Sequence, residues 1–150
     1  MKHIILILAV FSLMSCKSHK KTNKDNNEVI ISLAKKSGRG KSPAYSLKIY
    51  ANGDVIFKGE KNIDKIGTYK TKLTQEELAV LVEKFRKAHF FEFKNEYTSK
   101  ILDLPTTYIE FADGDKRKKI RDYYGAPPEL KDLEKEVEKL VYEKQWKKIE

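Results

Sequence analysis

Tyr45-Ser46-Leu47-Lys48-Ile49-Tyr50-Ala51-Asn52-Gly53-Asp54-Val55-Ile56-Phe57-Lys58 is the stretch whose reading decides the fold. Large apolar residues alternate with polar ones on both sides of Asn52-Gly53, the period of a half-buried strand, and Asn-Gly is a strong hairpin signal. The sequence predicts strands over Tyr45–Tyr50 and Asp54–Lys58, and their register can be argued. A two-residue loop would set Ile49 opposite Ile56 but Leu47 opposite Lys58. A three-residue loop with Gly53 in the left-handed region sets Ile49 opposite Val55 and Leu47 opposite Phe57. Only the second keeps one face wholly apolar, and a one-residue slip is costly wherever a face is buried. The glycine-bulge loop is therefore expected.

Working outward, Val29–Leu33 reads as a preceding strand and Lys65–Lys70 as a following one. Thr74-Gln75-Glu76-Glu77 has the form of a capping box, with Thr74 as N-cap and Glu77 three residues on. Leu78, Leu81, Val82 and Phe85 recur at helical spacing and predict a helix ending near Ala88-His89. Phe90, Phe91, Phe93 and Tyr97 follow in an irregular stretch and read as core aromatics rather than a ligand box. Thr106–Phe111 and Lys116–Tyr123 predict a second hairpin about Asp113-Gly114. Pro127-Pro128 then opens a C-terminal helix with Leu130, Leu133, Val137, Leu140 and Val141 on one face. The order ββ(β)αββα predicts an α+β fold, an antiparallel sheet with two helices packed on one face. A single α+β domain is expected over residues 28–150, its patterned part running from about Glu28 to about Trp146, a common size for one core.

The segment ahead of that domain carries an address. Met1-Lys2-His3 is a short basic opening, and the apolar run from Ile4 to Met14 suits a signal peptide but falls short of the ~18 apolar residues of a membrane-spanning helix. Leu13-Met14-Ser15-Cys16 resembles a lipobox, in which the cysteine is acylated and the chain is cut just before it. Residues 1–15 are thus expected to be a signal peptide and Cys16 the lipidated first residue of the mature chain. Cys16 is the single cysteine among 150 residues, so no disulfide, thiolate nucleophile or cysteine-based zinc site is expected. Residues 17–27 contain four lysines, one aspartate and no large apolar side chain. They read as a flexible basic tether that could also lie against anionic headgroups. Residue 17 is lysine rather than aspartate, so nothing marks inner-membrane retention. The expected location is the cell envelope, anchored at the outer membrane of a Gram-negative bacterium.

Pro43-Ala44-Tyr45-Ser46-Leu47, Asn52-Gly53, Gly67-Thr68-Tyr69, Asp103-Leu104-Pro105-Thr106 and Tyr124-Gly125-Ala126-Pro127 together resemble a domain of unknown function common in lipoproteins of Bacteroidota, over about residues 28–142. Many members of that family carry Cys-x-Gly-x-Cys-Pro-x-Tyr. Gly40, Pro43 and Tyr45 match it, while Gly38 and Ser42 stand where the two cysteines would be. The resemblance implies no catalytic residue, and the substituted cysteines imply a structural role for that pair in relatives.

Other motifs are weighed against plainer readings. Gly38-Arg39-Gly40-Lys41-Ser42 ends like a phosphate-binding loop, but Lys35 stands where its first glycine belongs, and Pro43 and a strand follow where a helix should. Lys35, Lys36, Arg39 and Lys41 remain candidates to hold an anion loosely. His3, His19 and His89 have no metal-ligand spacing, and no metal or cofactor is implied. Asp103 and Asp122 could be imagined as paired carboxylates, although Asp103 before Leu104-Pro105 is more simply a turn former, and no catalytic residue is assigned. Lys116, Arg117, Lys118, Lys119 and Arg121 form the densest basic run. They are candidate contacts for an anion or partner, but lysines on an edge strand also block edge-to-edge pairing.

The net charge of +9 would suit a polyanion, but export separates this chain from nucleic acid. The expected function is a membrane-anchored, non-enzymatic binding module whose partner is an envelope protein, a glycan or an anionic lipid. The alternative is a small cofactor-independent envelope hydrolase or transferase.

Overall fold

The computed structural model describes residues 27–101 and 103–150. Eight strands, two helices and a 3-10 turn follow in the order β1 (Val29–Lys36), β2 (Ala44–Tyr50), β3 (Asp54–Lys61), β4 (Gly67–Lys72), α1 (Gln75–Lys87), the turn Phe90–Glu92, β5 (Glu96–Tyr97), β6 (Thr106–Asp113), β7 (Lys116–Asp122), α2 (Pro128–Glu143) and β8 (Lys147–Lys148). The strands form one sheet of order β5-β7-β6-β1-β2-β3-β4-β8. Every pairing is antiparallel except that of β5 with β7. The fold is α+β, as the alternating patterns predict.

The β2–β3 register is the one that keeps a face apolar: Leu47 lies opposite Phe57 and Ile49 opposite Val55. Gly53 has φ of 85°, a conformation that side chains resist. A Cβ there would also come 2.6 Å from the carbonyl oxygen of Leu73. The Asn52 side chain accepts from Asp54 N at 2.8 Å, and Gly53 N donates to Tyr50 O at 2.9 Å, which closes the loop.

That register carries across the sheet. Ile31 and Leu33 of β1, Ile109 and Phe111 of β6 and Ile120 of β7 share the face of Leu47, Ile49, Val55 and Phe57, and all are 0 % exposed. Both helices cover this face. The capping box of α1 forms as expected, with Glu77 N donating to Thr74 Oγ1 at 3.1 Å and Thr74 N to Glu77 Oε2 at 3.0 Å. Leu78, Leu81 and Phe85 enter the core, where the Phe85 ring lies 4.8 Å from Phe111 and 5.2 Å from Phe90. The residues after α1 are core aromatics: Phe90 is buried, and Phe91 and Phe93 pack partly buried around it. Pro128 opens α2.

Two details differ from the sequence reading. The fourth strand runs two residues later than expected, Gly67–Lys72 instead of Lys65–Lys70, because its partners on β3 reach from Gly59 to Asp54. Two short strands, β5 and β8, have no alternation of their own and exist only by pairing with a sheet edge. The residues after α2 pack against the sheet. The Trp146 ring packs 5.4 Å from Phe57, its indole N–H donates to Leu140 O and Val141 O, and the chain then pairs with β4 through Lys147 and Lys148.

On α2 the buried set is Leu130, Leu133, Glu134, Val137 and Val141, with Leu140 only partly buried. Deleting a buried leucine side chain costs ~2–5 kcal/mol. Leu133→Ala is therefore expected to lower stability by at least ~2 kcal/mol in urea unfolding, and Leu140→Ala by clearly less. Near-neutral values at Leu133 would show that α2 is loosely docked.

Candidate functional site

The strand register sets four polar residues in one row across the inner face. Asp122 lies opposite Thr107, Thr107 opposite Lys35, and Lys35 opposite Tyr45. Each continues its strand's apolar alternation at the same end of the sheet, after Ile120, Ile109, Leu33 and Leu47. Above this row α2 brings Lys131, Glu134 and Glu138, three and four residues apart and so on one side of the helix.

The polar edges meet. Lys35 Nζ donates to Glu138 Oε1 at 2.6 Å and Tyr45 OH donates to the same oxygen at 2.7 Å. Lys131 pairs with Asp122 Oδ2 and lies 3.3 Å from Glu134 Oε2, so one ammonium serves two carboxylates. The Asp122 side chain is 0 % exposed and that of Glu134 6 %. Neither Asp122 oxygen is hydrogen-bonded in the directional sense, nor is Glu134 Oε1. A buried carboxylate pair facing one cation is short of one charge, and a retained proton supplies it.

The acid–base behaviour follows from this. Burial pushes the Glu134 carboxyl up to about 7. Lys131 opposes the rise and Asp122 adds to it. Burial would lower the Lys131 ammonium, but Asp122 and Glu134 outweigh it and hold it above its ordinary value. Burial, then the Glu138 carboxylate, drives the Tyr45 hydroxyl far up. A carboxyl poised near neutrality has the reactivity of a general acid or base. Here, however, α2 lies over it. A groove of about 780 Å³ is lined by Ile30, Ala51 and residues of α1 such as Leu78 and Val82, away from this cluster. The arrangement acts as a polar clamp between helix and sheet.

The basic candidates are scattered by the same register. Cys16 lies outside the described residues. Lys35 points inward to Glu138, while Lys36 approaches Glu60 at 3.8 Å on the opposite face. Arg39 joins the loop before β6 through its side chain to Asp103 at 3.0 Å and its N–H to Asp103 O at 3.1 Å. Lys41 is exposed in the same loop. That loop leads into strand β2, so no helix N-terminus stands behind Gly40-Lys41-Ser42 to bind phosphate. Gly38 is required as it stands, since a Cβ would lie 2.1 Å from Asp103 O.

The run on β7 divides between faces. Lys116 and Lys118 fall on the inner side. Lys116 lies over Phe91 at 5.9 Å, and Lys118 caps the carbonyls of Phe91, at 2.9 Å, and Phe93. Arg117, Lys119 and Arg121 fall on the outer side. Arg117 bridges Glu28 at 3.0 Å and Glu110 at 2.6 Å, Lys119 lies over Tyr108 at 5.1 Å, and Arg121 pairs with Glu96. Strand β5 covers β7 only at Arg121 and Asp122. Asp103 and Asp122 are not brought together: Asp103 turns the chain with φ of 66° on an exposed loop, and Asp122 is buried in the clamp.

The outer face of the sheet is the second feature. No helix covers it. Ser32, Ala34 and Ser46 form its low middle, and Lys48 and Lys58 stand exposed beside them on β2 and β3. Among the described residues no carboxylate pairs with either lysine, whereas Asp54 on the same face holds Lys70 at 3.0 Å. Among the described residues, no group of three or more His, Cys, Asp or Glu side chains is placed to hold a metal ion, and no helix is long and apolar enough to cross a membrane.

A single-sheet α+β domain with one helical layer and one bare face is thus the class of protein that the coordinates define. The chain belongs to the family described as a domain of unknown function, DUF6438, which matches residues 29–141. That span takes in β1 to β7 and nearly all of α2, and with them the whole polar clamp. No curated protein matches the chain.

The clamp makes a sign-definite pH prediction. The unfolded Glu134 loses its proton near its ordinary 4.5 and the folded one near 7. Its contribution to stability is therefore complete below 4.5 and is lost as pH rises through 7. The carboxyls of Asp54, Glu77 and Glu136 are lowered instead by their lysine partners, and their contributions are lost only at more acid pH. Between pH 5 and 8 the wild type should lose stability as pH rises, while Glu134→Gln, which cannot ionise, should show a flat profile by thermal denaturation. An unchanged slope in that variant would place the titration elsewhere.

Proposed function

We propose that this chain is a lipid-anchored module of the cell envelope, at the outer membrane of a Gram-negative bacterium, that works by binding and not by catalysis. In this reading residues 1–15 are removed, Cys16 carries the lipid, and the folded domain presents the bare side of its sheet to a partner. The observation that supports it is the asymmetry of the sheet. Both described helices pack on one face, and the other carries Lys48 and Lys58, which pair with no carboxylate among the described residues. An open, many-stranded face offers area rather than an enclosed site, which suits recognition more than chemistry. The family resemblance to lipoproteins agrees with the lipobox at Leu13–Cys16.

A hydrolase or transferase reading would rest on Glu134, whose carboxyl titrates near 7. That group is buried beneath α2 and is already engaged by Lys131, so substrate would have to displace the helix.

Two measurements in cells test the proposal. Cys16→Ala should move the protein from the membrane fraction to the soluble one and abolish lipid labelling. Unchanged membrane association would overturn the anchor. A photo-crosslinking residue at Lys48, on the open face, should give discrete adducts, while one at Lys139, on the exposed side of α2, should not. Adducts from Lys139 alone would move the binding surface to the helices.

A further inference from the structure

We propose that the open sheet face docks on the anionic phospholipid headgroups of the membrane to which the chain is anchored. This rests on the tethered-module reading above and names the partner of the same surface. Lys48 and Lys58 are the central cations. They sit on adjacent strands, Lys58 opposite Ser46 and Lys48 opposite Ile56, so they are diagonal neighbours whose backbones lie about 7–8 Å apart. Ser32 lies opposite Lys48 and Ser46 opposite Lys58, and long flexible lysine stems can reach a plane of phosphates.

The chain's own connectivity points the same way. Asn27, the first described residue, shares a shallow groove with Tyr50, Asn52, Asp54 and Ile56. Tyr50 and Ile56 lie on the outer face by register. Asn27 therefore lies towards the uncovered side of the sheet. Ten residues lie between Cys16 and Asn27, and the eleven steps reach at most roughly 40 Å. The open face is thus held within a few nanometres of the lipid that Cys16 would carry. Tyr50 and Ile56, half-buried beside this entry point, supply the amphipathic contact favoured at a headgroup layer. Strand twist limits simultaneous contact to the central strands, where Lys48 and Lys58 lie.

The test uses the mature chain with Cys16→Ser, so that no acyl group contributes, and sedimentation with vesicles. Binding is expected to vesicles of phosphatidylglycerol and phosphatidylethanolamine, not to phosphatidylcholine alone, and should weaken between about 0.05 M and about 0.5 M salt. The Lys48→Gln/Lys58→Gln double variant, with an unchanged melting temperature, should bind roughly thirtyfold more weakly. Lys135→Gln/Lys139→Gln, on α2, should bind as before. No binding to anionic vesicles, equal losses in both double variants, or no loss in the first would overturn the proposal. So would equal affinity for soluble polyphosphate with the same dependence on Lys48 and Lys58, because the partner would then be a free polyanion. The protein in this assay is unacylated, so failure here and failure of the Cys16 fractionation are separate results.

Discussion

One register constraint underlies the structure. Because Gly53 closes a three-residue loop, Leu47 faces Phe57 and Ile49 faces Val55, and β1, β6 and β7 add their apolar residues to the same side. A slip of one residue in β3 would send Ile56 and Lys58 towards the core and Val55 and Phe57 into water. Full burial of each large apolar side chain is worth about 1.5–3 kcal/mol. A slip that displaces several of them exceeds the whole stability of an ordinary domain, about 5–15 kcal/mol. The two helical covers, the polar clamp and the open face all depend on that choice.

The clamp adds position to what apolar packing provides in bulk. Leu130, Leu133, Val137 and Val141 would accept small shifts of α2 over the sheet. Asp122 would not, because sliding the helix would leave its buried carboxylate without Lys131, and an unpaired buried charge is far costlier than a lost contact. Glu138, shared by Lys35 and Tyr45 one turn along, holds the other end. These pairs set where the helix lies. Their net contribution to stability is small, because desolvation of the charges offsets most of their attraction.

On the other side of the sheet charge is handled differently. Arg117, Arg121 and Lys70 are drawn into pairs with Glu28, Glu110, Glu96 and Asp54, in water and with little stabilisation each. Lys48 and Lys58, in the middle of the face, pair with no carboxylate among the described residues. The two-residue strands β5 and β8 close only part of each edge, β7 at Arg121 and Asp122 and β4 at Tyr69 and Lys70.

Much of this was legible in the sequence. Alternation about Asn52-Gly53, the capping box at Thr74–Glu77 and the prolines before α2 are local signals. Each acts over a few residues, so the chain determines the hairpin, the two helices and the α+β class by itself. Part of the clamp also left a trace: Glu134 stands at apolar helical spacing between Leu130 and Val137, and Lys35, Tyr45 and Asp122 extend apolar alternations. What those traces lacked was a partner. Strands β5 and β8 form only against edges already built, and the basic run on β7 divides only once the sheet has two faces. Asp122 meets Lys131 and Glu134 only when α2 crosses the sheet. Tertiary structure alone decided these, because a residue's charge is written in the chain, whereas its burial and its neighbours depend on elements far away in sequence.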